Sequence, residues 1–215
     1  GMNVVIANSR GPETLAELVA ELGPQAQAGT VEDAAKLGDA VVLSIPLSAV
    51  SGLPEGLLAG KTVLDTSNYY PSRDGRIAQL DDSTVTTSEL VQSLLPGVQY
   101  VKAFNNILAH HIPLLARPSG ADDRSALPVA SDDPAAKAEA AALIEALGYD
   151  VVDAGALVDS WRFEPDSAGY TRLYLADEST PDEELMTSVP GTTPKTKVES
   201  ALASATRVNV AERVF

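Results

Sequence analysis

Val4-Val5-Ile6-Ala7, then Asn8-Ser9-Arg10-Gly11, then Pro12 through Leu22 spell a strand, a turn and a helix. The strand is a short continuous apolar run, the pattern of a strand covered on both faces in a parallel sheet. Pro12 suits the first helical position and Glu13 the helix N-terminus. Leu15, Leu18, Val19 and Leu22 follow at helical spacing, and Gly23-Pro24 stops the helix.

The same unit recurs along the chain. Gln25–Gly29 reads as a short strand, and Thr30-Val31-Glu32-Asp33 is a capping box with Asp in place of Glu, opening a short helix that ends at Gly38. Ala40–Ile45 is a second apolar strand, followed by a weak helix over 47–60. Thr62–Thr66, Val98–Phe104, Ala126–Ala130 and Val151–Asp153 read as further strands. Ser88–Leu95, Ile107–Leu115 and a long segment opened by Asp133-Pro134 and ended by Gly148 read as helices. Strands alternating with helices predict an α/β fold: a Rossmann-type, mostly parallel sheet with helices on both faces. The alternation stops at Gly155. Residues 1–155 are therefore expected to form a nucleotide-binding domain and 156–215 a small helical appendage, with helices over Asp182–Val189 and Lys195–Arg213.

Composition narrows the function. The 215 residues carry 15 basic and 30 acidic side chains, a net charge of −15 that is shared by both halves of the chain. An acidic shell repels phosphate backbones and anionic lipid, so no nucleic-acid or membrane partner is expected. Cysteine is absent, which excludes disulfides and thiolate metal sites and fits a reducing compartment. No apolar run reaches the ~20 residues that span a bilayer. No signal peptide is visible at Gly1-Met2-Asn3, so a cytoplasmic location is expected.

Several motifs fail. Gly56–Thr62 imitates a phosphate loop, but Glu55 stands where its first glycine belongs and the segment leads into a strand rather than a helix. His110 and His111 are adjacent, and neighbouring side chains on a helix point apart, so no metal site is expected. The chain contains neither G-x-S-x-G nor G-x-G-x-x-G.

In open α/β sheets ligands bind beyond the carboxyl ends of the strands. Four such ends carry polar or special residues. Ser9 and Arg10 offer a hydroxyl and a guanidinium to a phosphate; the alternative is an ordinary turn. An Arg at this place accommodates a 2′-phosphate, whereas an acidic residue would select a ribose hydroxyl. Ile45-Pro46 and Asn68-Tyr69 would floor and wall a nicotinamide site, or Pro46 simply ends its strand. Tyr69 and Tyr70 stack a ring or pack. Asn105-Asn106 bind a carboxamide, or cap the helix that follows.

Asn8–Thr14, Lys102-Ala103-Phe104-Asn105, Leu127-Pro128-Val129-Ala130, Leu147–Gly155 and Ser160-Trp161-Arg162, in this order, resemble the NADP oxidoreductases that depend on the deazaflavin coenzyme F-420. The resemblance covers nearly the whole chain. It implies that Ser9 and Arg10 take the 2′-phosphate of NADP, that Ile45 and Pro46 line the nicotinamide ribose side, and that Asn68 and Asn105 lie near the ring. It also implies direct hydride transfer to a second flat acceptor, with F-420 the candidate. Such transfer needs alignment more than a protein acid or base, so no catalytic residue is assigned.

The family pattern begins one βα unit earlier, with a Gly-rich turn that holds the pyrophosphate. Here Gly1 resembles the glycine ending that unit's helix, which implies a truncated chain or a natural short form. Without that unit, Val4–Ala7 is expected to move beside Ala40–Ile45, because an open slot leaves backbone groups unpaired. Two functions stay open: an NADP-dependent oxidoreductase acting on a small-molecule redox partner, and a nucleotide-binding or interaction module without turnover. The apolar positions Val198, Ala201, Leu202, Ala205, Val208 and Val210 of the last helix predict self-association, in the simplest case as a homodimer.

Overall fold

The structure is a computed structural model and describes residues 1–214. Among the described residues seven strands form, every one of the paired runs parallel: β1 (Val4–Ile6), β2 (Ala26–Ala28), β3 (Ala40–Leu43), β4 (Thr62–Asp65), β5 (Gln99–Lys102), β6 (Ala126–Val129) and β7 (Asp150–Asp153). They pair as β1-β2, β3-β4-β5 and β6-β7. An antiparallel bridge between Lys102 and Ala130 ties β5 to the end of β6. The α/β fold class is thus the one that the alternating pattern predicts.

β4 lies at the middle of the molecule, and all four of its residues are buried. Its neighbours β3 and β5 hold it in register, with Leu43, Asp65 and Lys102 level at the carboxyl ends. The helix Pro134–Ala146 packs across β4, β5 and β7. Its buried face is Ala136, Ala140 and Ile144, mostly small side chains that let helix and sheet approach closely. Asp133 caps it, accepting bonds from the backbone N–H groups of Ala135 and Ala136 at 2.8 and 3.2 Å. The helix α1 (Ala16–Leu22) follows a 3-10 turn at Pro12–Leu15, and α2 (Val31–Leu37) opens with the full Thr30–Asp33 capping box.

The expected position of the first strand is wrong. Among the described residues β1 pairs with β2 alone, and its other edge and that of β3 stay unpaired. The expectation rested on the cost of unpaired backbone groups in a dry interior. This edge is open to solvent: Val4 is 47% and Val42 55% exposed, so its backbone groups are not shut in a dry interior.

Four predicted helices are shorter than expected. Residues 47–60 hold only the 3-10 turn Leu47–Gly52. Ile107–Leu115 resolves into a 3-10 turn at Ala109–His111 and one α-turn at Ile112–Leu115. In the tail the helix Lys195–Ser204 stops nine residues before Arg213, and Asp182–Thr187 is 3-10. The chain after Ser204 is drawn out because Arg213 is buried elsewhere. Its side chain pairs with Asp166 and donates to the carbonyls of Tyr69 and Pro165, while Arg76 donates to its backbone carbonyl. Val198 and Leu202 are buried, and their helix packs on β6 and β7.

Candidate functional site

Three residues beyond the level pair Asp65 and Lys102, two asparagines meet. Asn68 Nδ2 donates to the Asn105 carbonyl at 2.8 Å, and Asn105 Nδ2 donates to Asn68 Oδ1 at 3.1 Å. Asn105 Nδ2 also donates to the Phe163 carbonyl at 2.9 Å. Both Asn105 N–H bonds go to oxygens that only accept, which fixes the amide orientation. Asn105 Oδ1 is then left buried with no donor. The structure therefore joins two sequence-predicted site residues that stand 37 positions apart.

The turns that carry them are anchored underneath. Asp65 Oδ2 accepts from Tyr100 Oη at 2.6 Å and from Lys102 Nζ at 3.0 Å, and Asp65 Oδ1 accepts from Ser67 Oγ at 2.6 Å. Lys102 Nζ also donates to the Ser67 carbonyl. Neither Asp65 nor Lys102 exposes any side-chain surface. A buried pair of this kind fixes geometry more than it adds stability. Here it locks the β4 end to the β5 end. Burial and the Asp65 carboxylate together hold the Tyr100 phenol well above its usual value, so it stays a donor. Beyond β5, Phe104 adopts a φ of +59°, a left-handed conformation uncommon for a phenylalanine, and turns the chain into Asn105.

The expected capping role of Asn105 and Asn106 is not seen. Leu108 occupies the N-cap of the following turn. Asn106 instead donates to the Gly169 carbonyl at 2.8 Å and to Tyr174 Oη at 3.3 Å. The tyrosines divide: Tyr69 is fully buried and structural, its hydroxyl bonded to Asp81 and Ile77. Tyr70 stays half-buried at the mouth, where its hydroxyl meets that of Tyr170. Asn68 Nδ2 reaches the same Tyr170 hydroxyl at 3.2 Å.

Ile45 and Pro46 stand at the neighbouring strand end, Ile45 packed against the core and Pro46 exposed. Asp74 joins their loop to the site: its carboxylate accepts from the backbone N–H of Ser48 at 3.4 Å and of Tyr70 at 3.1 Å. Ser9 and Arg10 lie apart from this group, at the end of β1 beyond the open edge. Asn8 Oδ1 accepts from the Arg10 N–H at 2.9 Å, and Gly11 follows with a φ of +100°, a value that favours glycine. Both Ser9 and Arg10 are exposed, and among the described residues Arg10 forms no ion pair.

His110 and His111 do not diverge as expected on a helix. In the 3-10 turn their rings meet edge to face at 4.3 Å, and His111 Nε2 bonds the Ser188 carbonyl at 2.9 Å. No group of His, Cys, Asp or Glu among the described residues could hold a metal ion.

Sequence reasoning missed Asp65, Tyr100, Tyr170 and Glu164. Glu164 is a buried carboxylate satisfied by the Thr87 N–H and hydroxyl and by Ser160 Oγ, a tie between body and tail. The only signal was Lys102, a charge inside an apolar strand, which requires a buried partner.

Residues 1–69 match the family described as NADP oxidoreductase, coenzyme F420-dependent. A hypothetical protein from Sinorhizobium meliloti is 30% identical, with a TM-score of 0.61 over 74% of this chain and 76% of that one. The chain belongs to this family of NADP oxidoreductases. A protein from Arthrobacter sp. FB24, assigned by name as an F420-dependent NADP-reductase, is 26% identical, with a TM-score of 0.61 over 74% of this chain and 77% of its own. No curated protein matches. Membership places the chain among NADP-linked oxidoreductases of Rossmann type, and no helix among the described residues is long and apolar enough to cross a membrane.

Proposed function

We propose that the chain is a cytoplasmic enzyme that exchanges hydride between NADP(H) and a small-molecule redox partner, the deazaflavin coenzyme F-420. The observation that carries this reading is the Asn68–Asn105 clasp at the ends of adjacent strands, where open α/β sheets bind ligands. The donor-less Asn105 Oδ1 fits a primary carboxamide, whose N–H would satisfy it once the clasp opens. Ile45 and Pro46 would line the ribose side, and Ser9 and the unpaired Arg10 would hold the 2′-phosphate. NADP(H) supplies the hydride exchange at its nicotinamide ring. The residues named here bind and orient; the Asp65–Lys102 anchor holds the strand ends that carry the two asparagines. Self-association as a homodimer belongs to the same reading.

The test is to mix the protein with NADPH and oxidised deazaflavin and follow the loss of the deazaflavin's visible absorbance. Stoichiometric loss is expected. NADPH binding without transfer would replace the enzyme by a binding module, and absence of NADPH binding would end both readings.

A further inference from the structure

Hydride transfer between two flat rings asks for alignment and no protein acid. Yet the site contains a prearranged phenol pair. Tyr70, in the loop that carries Ser67 and Asn68, and Tyr170, from the tail, meet hydroxyl to hydroxyl across 100 positions of sequence. Asn68 Nδ2 points at the Tyr170 oxygen from the same clasp that marks the ligand site. Both tyrosines are half-buried.

We propose that Tyr170 is a proton donor, and that the site therefore reduces a second class of acceptor, the carbonyl compounds. Resting on the NADP-linked reading, the step balances as follows. A two-electron hydride from the reduced nicotinamide forms the new C–H bond and the nicotinamide is oxidised. The carbonyl π bond breaks, its oxygen takes the Tyr170 hydroxyl proton, and an alcohol results. Two donors are already placed to hold the phenolate left behind: the Asn68 N–H and, with Tyr70 as donor in the pair, the Tyr70 O–H. Hydrogen bonds to a charged oxygen are the strong ones, and they are in place before the charge appears. Water then returns a proton. Burial holds the Tyr170 phenol far above its ordinary value, so it is protonated throughout the neutral range. Arg213, which pairs with Asp166, lies close enough to oppose part of that rise.

The probe is 4-nitrobenzaldehyde with NADPH. The wild type is expected to form the alcohol, with a solvent deuterium isotope effect on the rate. Tyr170→Phe should lose about 10²–10⁴-fold in aldehyde reduction, and the solvent isotope effect should go with it. Tyr70→Phe, which keeps the donor but removes one of the two phenolate supports, should lose less. A wild type inert to the aldehyde, or a Tyr170→Phe protein that reduces it at the wild-type rate, overturns the proposal and leaves the NADP reading standing. Absence of NADPH binding in the wild type overturns both.

Discussion

Lys102 is a cation with no exposed side-chain surface, and Asp65 is its counter-charge. Removing one partner strands the other in a dry interior. Lys102→Met should therefore cost about 3–5 kcal/mol, read from urea unfolding of the purified protein. Asp65→Asn combined with Lys102→Met should recover most of that loss, because no charge is left unpaired. A single variant as stable as the wild type would show that the pair does not anchor the strand ends. At this scale the sequence was informative where a residue's place along a strand sets its role. Asn68 and Asn105 were legible because each lies just beyond a strand. Tyr170 was not, because nothing near it in sequence announces a partner 102 positions away. Asn105 and Asn106 were misjudged as caps because the left-handed turn at Phe104, which redirects them, leaves no mark in a side chain.

Among the elements, the loops after β3 and β4 form the floor of the site, and Asp74 is the link between them. Burial pushes its carboxyl up, but the Arg73 side chain and the Tyr70 N–H outweigh this and hold it below the ordinary carboxylate value. A carboxylate depressed in the folded state adds stability above its unfolded value, and that stability is lost as pH falls through the folded one. Asp74→Asn should then be less stable than the wild type at neutral pH, and the difference should close as pH falls below the ordinary carboxylate range. Urea midpoints across that range check it; a constant difference would contradict the assignment. Most elements were legible from period and caps, and the Thr30–Asp33 box formed as read. The end of the last helix was not. Its apolar spacing continues to Val210, but the buried Arg213 pulls the chain off the helical path, and a long-range ion pair has no local pattern.

At the scale of the whole molecule, the sheet is open between β1 and β3, and Leu18, Leu22, Leu37 and Val42 are all more than two-fifths exposed. We propose that self-association uses these side chains, because Val198 and Leu202 of the last helix are buried in the protein's own core. Light scattering at micromolar concentration should give twice the chain mass of 22.4 kDa, and Leu22→Glu with Leu37→Glu should return it to one. A monomeric wild type would remove the homodimer.

On the proposed reading, the choice between NADP and NAD is made by Arg10, an exposed guanidinium with no ion pair among the described residues. Its charge-assisted bond to a phosphate is worth ~1.5–3 kcal/mol, about 10–150-fold in affinity. The net charge of −15 acts at longer range and is partly screened by salt, so the local contact decides. The measurement is calorimetric titration of the wild type and Arg10→Ala with NADPH and with NADH. Wild type should prefer NADPH, and the substitution should remove most of that preference while leaving NADH binding nearly unchanged. Equal weakening of both cofactors, or a wild type that prefers NADH, would contradict the account.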